Sequence, residues 1–159
     1  MPRRRPGALR AARRLRGRRP PSWAYDTGPL DRLSPGTSAA IRYAEHGDHG
    51  HDVSPGRTED FLRRYRAFLR RPGAKLWLTA SECPACPGCR YEDVAVVRDA
   101  LQAVLCVLPP RPRAELRGHL ARLDAEFRRR TRPDPDPRHW ADWSGEPYPW
   151  WHRRLYEGG

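Results

Sequence analysis

The chain has 159 residues, 31 Lys and Arg against 19 Asp and Glu for a formal charge of +12, and only 38% hydrophobic residues. With 18 prolines and 13 glycines besides, the composition allows roughly one domain and means that much of the chain need not pack. No apolar run approaches the roughly 18 residues of a membrane span, no secretory leader pattern opens the chain, and four cysteines, three of them within seven residues, do not form a secreted disulfide framework; a cytoplasmic protein is expected.

Residues 1–20 hold nine arginines and no acid, so +9 of the +12 lies in this arm. Arg3, Arg4, Arg5, Arg10, Arg13, Arg14, Arg16, Arg18 and Arg19 can each neutralise a phosphate and release a counterion. Nucleic acid or another anionic polymer is therefore the expected partner. Pro2, Pro6, Pro20 and Pro21 oppose one long helix. Leu9 and Leu15 are too few apolar residues for a helix embedded in a membrane surface. A disordered basic arm is expected here. Residues 20–57 carry scattered Pro, Gly, Ser and Asp with no clear period. Apart from a helical turn over Ser38–Tyr43 they read as linker, so residues 1–57 form one arm-and-linker region.

A helical domain is expected over 58–131. Its first helix runs from about Glu59 to Arg71, with Thr58 as N-cap and Glu59 and Asp60 at its positive end. Phe61, Leu62, Tyr65, Phe68 and Leu69 share one face, and Pro72-Gly73 ends it. Leu76-Trp77-Leu78-Thr79 reads as extended chain or a brief strand. The second helix spans about Tyr91 to Leu108, with Val94, Val97, Leu101, Val104, Leu105 and Leu108 as its stripe. The third spans about Pro112 to Arg130, with Leu116, Leu120, Leu123 and Phe127 in register. The short link between these two predicts a helical hairpin. The expected class is thus mostly α, a small three-helix domain with a cysteine knuckle before its second helix. A core of that size is marginal without a staple.

The knuckle reads Cys83-Pro84-Ala85-Cys86-Pro87-Gly88-Cys89. In a tight turn after a cysteine, the second and third following residues point their N–H groups back at its sulfur. Those donors are Ala85 and Cys86 for Cys83, and Gly88 and Cys89 for Cys86. The prolines occupy the first following position, where no donor is needed and a φ near −65° favours the turn. A metal-bound thiolate gains from such donors. Over these seven residues the segment resembles the knuckle half of zinc-ribbon proteins, which implies zinc on Cys83, Cys86 and Cys89. It departs from that family in having Pro87 where glycine usually follows the second cysteine, and no second Cys-x-x-Cys follows.

Three thiolates need a fourth ligand to close a tetrahedral zinc site. Cys106 is rejected: it lies about 145° from the stripe of its helix and some 25 Å along the chain from Cys89. A small buried or half-buried role suits it better. His49 is taken as the fourth ligand, with His46 and His51 of the same Glu45–Asp52 segment as alternatives; His119, His139 and His152 are less well placed. An iron–sulfur cluster is the competing cofactor, although Asp93 stands where ferredoxins place their fourth cysteine. A redox dithiol of the glutaredoxin-like Cys-Pro-x-Cys kind is another.

The tail, 132–159, is proline-rich and holds four of the six tryptophans. Trp150-Trp151-His152-Arg153-Arg154-Leu155 interleaves aromatic and basic groups, which suits stacking on bases or docking on a protein partner; the same rings can also pack across the helices and complete a thin core. Phosphate-loop, Gly-x-Ser-x-Gly and His-Glu-x-x-His motifs are absent, so a non-catalytic binding protein is expected.

Overall fold

Proline, serine and carboxylate groups set the ends of the helices. The computed structural model describes residues 19–158 and is mostly helical, with four α-helices and no strand among the described residues. Helix α1 spans Pro35–Glu45, α2 Arg57–Leu69, α3 Val94–Val107 and α4 Pro110–Arg130. Single 3-10 turns lie at Ser22–Tyr25, Cys89–Glu92 and Pro137–His139. None of the helices is long and apolar enough to cross a membrane.

Helix α1 is the element the sequence pattern conceals. Only a turn over Ser38–Tyr43 is expected in this stretch, the rest reading as linker, yet Ser34 caps a full helix by accepting the Thr37 N–H at 3.2 Å, and Pro35 occupies its first turn. Its buried side is Thr37, Ser38, Ala39, Ala40 and Ile41, mostly small or hydroxylic residues that leave no hydropathic period. The core also takes Leu30, Leu33 and Val53 from this region. The body therefore has four helices rather than three, and its core extends back to residue 30.

Helix α2 begins two residues earlier than expected. Thr58 lies inside it, fully buried, and the N-cap is Gly56 at φ +78°, which has no side chain to offer. The expected stripe of Phe61, Leu62, Tyr65, Phe68 and Leu69 is buried. Helix α3 is capped by Asp93, whose carboxylate accepts the Ala95 N–H at 2.8 Å, and it packs chiefly on α2. Its expected stripe is buried, Leu108 included. Only Leu108 and Pro109 separate α3 from α4. Helix α4 buries Leu116, Leu120, Leu123 and Phe127, and with them His119 and Asp124.

Several polar groups inside this core are paired across helices. Asp124 takes Arg98 Nε at 3.0 Å, Arg98 Nη2 at 3.1 Å and the Tyr65 hydroxyl at 2.8 Å, joining α2, α3 and α4. Burial, reinforced by Asp124, pushes the Tyr65 phenol up. Buried His119 accompanies Asp31 (Nε2 to Oδ2, 2.9 Å), which also takes Arg66 Nε at 2.7 Å. Asp31 and Arg32 hold positive φ angles of 39° and 67°, so the loop before α1 is bent back to reach this pair.

The segment after α2 is extended and pairs at isolated points. Leu76 N–H donates to the Arg130 carbonyl at 2.7 Å and Leu78 N–H to the Leu155 carbonyl at 3.0 Å. The tail thereby returns to the body, where Trp150, Trp151 and Tyr156 pack against the core. Asp99 fastens it by accepting from Trp151 Nε1 at 2.7 Å and facing His152 Nε2 at 2.6 Å. Arg98 stacks over the Trp151 ring at 4.4 Å.

Candidate functional site

Two places carry chemistry beyond holding the fold. The first is the cysteine turn. Cys86 N–H donates to the Cys83 carbonyl at 3.0 Å, and Arg90 N–H to the Cys86 carbonyl at 3.1 Å. Ser81 Oγ ties the ends by donating to the Cys89 carbonyl at 2.9 Å. The Cys86 sulfur receives the N–H groups of Cys89 and Gly88, the donors expected from the local turn. The Cys89 and Cys83 thiols also lie beside it, and these contacts together lower the Cys86 thiol pKa. Cys89 is shifted up by its hydrogen bond to Cys86 and by the charge there. At Cys83 the turn differs from expectation, because the Cys86 N–H goes to its carbonyl.

The candidate histidines lie away from this turn. His46 packs its ring against Trp23 at 4.4 Å and sets Nδ1 against the Arg42 carbonyl at 2.8 Å. His49 folds over Gly47, where an added Cβ would come within 2.5 Å of its Nε2. His51 faces Arg57. Among the described residues no group of three or more His, Cys, Asp and Glu side chains is arranged to hold a metal ion. The loop is nevertheless tethered close in sequence to the cysteines, since Asp52 accepts the Tyr91 hydroxyl. Cys106 is exposed rather than half-buried, in keeping with its position off the α3 stripe. All four cysteines are free thiols.

The second place is a groove between the last turn of α4 and the tail, about 400 Å³ in volume and lined by Arg128, Pro133, Trp140, Trp150, Arg153 and Arg154. Backbone pairing builds it. Leu155 N–H donates to the Arg132 carbonyl at 3.0 Å, and Asp134 N–H to the Arg153 carbonyl at 3.1 Å. Trp140 Nε1 donates to the Asp134 carbonyl at 3.0 Å. Trp150 sits edge-on to Phe127 at 5.8 Å.

The arginines are stacked and unneutralised. The Arg128 guanidinium lies 3.7 Å from the Trp150 ring centre and that of Arg154 5.4 Å from it, while Arg153 lies 5.8 Å from Trp140. Among the described residues, no carboxylate is within ion-pair distance of these three. The three aspartates of the tail are engaged in their own turns: Asp134 with His139 and the Asp136 N–H, Asp136 with Arg138, Asp142 with Ser144 and the Glu146 N–H. Arg154 is only 8% exposed, and its Nε is buried without a hydrogen-bond partner. Burial, followed by the like charge of Arg128, lowers its pKa, though a guanidinium stays cationic at any physiological pH.

The interleaved pattern of Trp150–Leu155 pointed to half of this groove. Arg128 and Trp140 were not marked by any local signal, since Arg128 is one arginine in a run of three at the end of α4. Of the nine arginines in the basic arm, Arg19 is described and exposed; Arg3, Arg4, Arg5, Arg10, Arg13, Arg14, Arg16 and Arg18 lie outside the described residues. Comparison of the chain with protein-family models, with curated proteins and with solved structures finds no match.

Proposed function

We propose that the chain is a small non-catalytic binding protein for single-stranded nucleic acid, with a zinc ion on Cys83, Cys86 and Cys89 as a local staple. The observation that carries the reading is the set of three unneutralised guanidiniums, Arg128, Arg153 and Arg154, held against tryptophan rings in one groove. Aromatic faces beside a cationic track are what single strands use, because every base has a π-face and every linkage a charge. The arginine arm adds contacts to the phosphate backbone that do not depend on sequence. A cytoplasmic setting goes with this reading, given four free thiols.

The zinc staple draws support from the N–H groups of Gly88 and Cys89 turned onto the Cys86 sulfur and from the two neighbouring thiols. To complete four ligands, His49, or in its place His46 or His51, has to move from its present position. Elemental analysis of protein purified under reducing, low-oxygen conditions tests this: one zinc per chain supports it, while iron or no metal overturns it. Binding is tested by titrating a fluorescently labelled single-stranded oligonucleotide at several salt concentrations. Affinity is expected to fall steeply with salt, and less steeply after removal of residues 1–20. Binding that ignores salt, or no binding, overturns the reading.

A second reading, capture of a protein partner by the tail, is favoured by Trp143, which is 98% exposed on the Asp142–Gly145 turn. Replacing Trp143 with alanine then abolishes capture of that partner but leaves oligonucleotide affinity unchanged.

A further inference from the structure

The groove between α4 and the tail has features of a built anion site. Arg154 is more than nine-tenths buried, and its Nε–H has no acceptor. A buried donor without an acceptor is costly, and so is a second cation beside it. Folding brings Arg128 to the same ring regardless. Stacking on Trp150 holds both guanidinium planes, so their donors are set before any ligand arrives. An anion with several oxygens supplies what the empty groove lacks: acceptors for the forks and charge against their repulsion.

The rest of the lining is apolar and flat. Pro133 and Trp140 form one wall, and Trp140 remains 38% exposed. The volume of about 400 Å³ lies within the usual range for small-ligand sites, roughly 300–1,000 Å³. An inorganic ion alone would leave this wall uncovered. A planar ring joined to a phosphate group covers it.

We propose that this groove binds one nucleotide unit, its phosphate on Arg154, Arg128 and Arg153 and its base against Trp140. The proposal rests on the nucleic-acid reading only for the source of that unit, a position within a single strand rather than a free nucleotide. It goes further in assigning the residues.

The test titrates the full chain with adenosine monophosphate, inorganic phosphate and a short single-stranded oligonucleotide, following tryptophan fluorescence and competition. The mononucleotide is expected to compete with the oligonucleotide and to bind at least tenfold more tightly than inorganic phosphate. Arg154→Met is expected to weaken nucleotide binding at least tenfold while melting no lower than the parent, since it removes a buried unpaired charge. Trp140→Leu, at an exposed position, is expected to reduce the advantage of the nucleotide over phosphate. If both variants bind the nucleotide as the parent does, or if phosphate and nucleotide bind equally, the assignment is overturned. Oligonucleotide binding that persists in both variants overturns the groove but keeps the nucleic-acid reading. Arg154-dependent nucleotide binding with no oligonucleotide binding keeps the groove and overturns that reading.

Discussion

The carboxylate of Glu45, last residue of α1, accepts the backbone N–H of Thr58 at 2.8 Å and that of Gly56 at 3.0 Å. The end of one helix thereby closes the start of the next. Gly56 has no side chain to cap α2, and Glu45, only 3% exposed, brings both acceptors and a negative charge to the positive end of that helix. The prediction is that Glu45→Ala lowers the unfolding free energy by about 2 kcal/mol, the scale for hydrogen bonds to a charged group. Urea denaturation measures it, and an unchanged midpoint would refute the cap.

Asp124 and Arg98 are predicted to behave asymmetrically. Asp124→Ala leaves the Arg98 guanidinium buried without its partner and is expected to cost about 3–5 kcal/mol. Replacing both by apolar residues of similar volume is expected to recover most of the loss, because it removes the uncompensated charge together with its partner. Thermal melts of the two single variants and the double variant decide this. Additive losses would mean that the pair is not coupled.

Acid stability is predicted to depend on Glu115. Burial acts to raise its carboxyl, but hydrogen bonds from Thr37 and Ser34 outweigh it and bring its pKa below the usual carboxylate value. A depressed folded-state pKa stabilises above the ordinary value, and that contribution is lost as pH falls through the depressed one. The melting temperature of the parent should therefore drop on acidification. Glu115→Gln should be less stable near neutrality and flatter below about pH 4.5. Parallel curves for the two proteins would exclude the link.

The tail is predicted to be part of the folded body. Trp151 packs against the core, carries Arg98 on its ring and donates to Asp99. Trp151→Ala is expected to destabilise by about 3 kcal/mol, at the lower end for a large aromatic. A chain cut after Thr131 should lose its cooperative transition by circular dichroism. Full retention of that transition would show the tail to be a passenger.

The helices that are plain in the sequence are those whose inward faces are large and apolar. Phe61, Leu62, Tyr65, Phe68 and Leu69 identify α2, and the Val and Leu stripe identifies α3, because a 3.6-residue repeat is a local property. The N–H groups aimed at Cys86 were legible for the same reason, being one turn of backbone. Helix α1 was legible only as a turn over Ser38–Tyr43, because apart from Ile41 its buried face is Thr37, Ser38 and two alanines, with Thr37 and Ser38 held by Glu115 and Leu30. The boundary of α2 was misplaced because its cap is a carboxylate 11 and 13 residues away rather than a neighbouring hydroxyl. His119 gave no sign of its partner Asp31, 88 residues distant.

Local order is thus written in the amino acids themselves: the mostly helical class, the apolar stripes, the proline stops, the sulfur-facing turn and a charge concentrated in one arm. Folding alone determined which polar groups would meet. Arg128 and Arg154 are far apart in the chain and share the Trp150 ring only because the tail is drawn back along α4 by its pairing with residues 76–78 and 132–134. Periodicity depends on near neighbours, whereas a converging set of cations depends on where distant backbone is brought to rest.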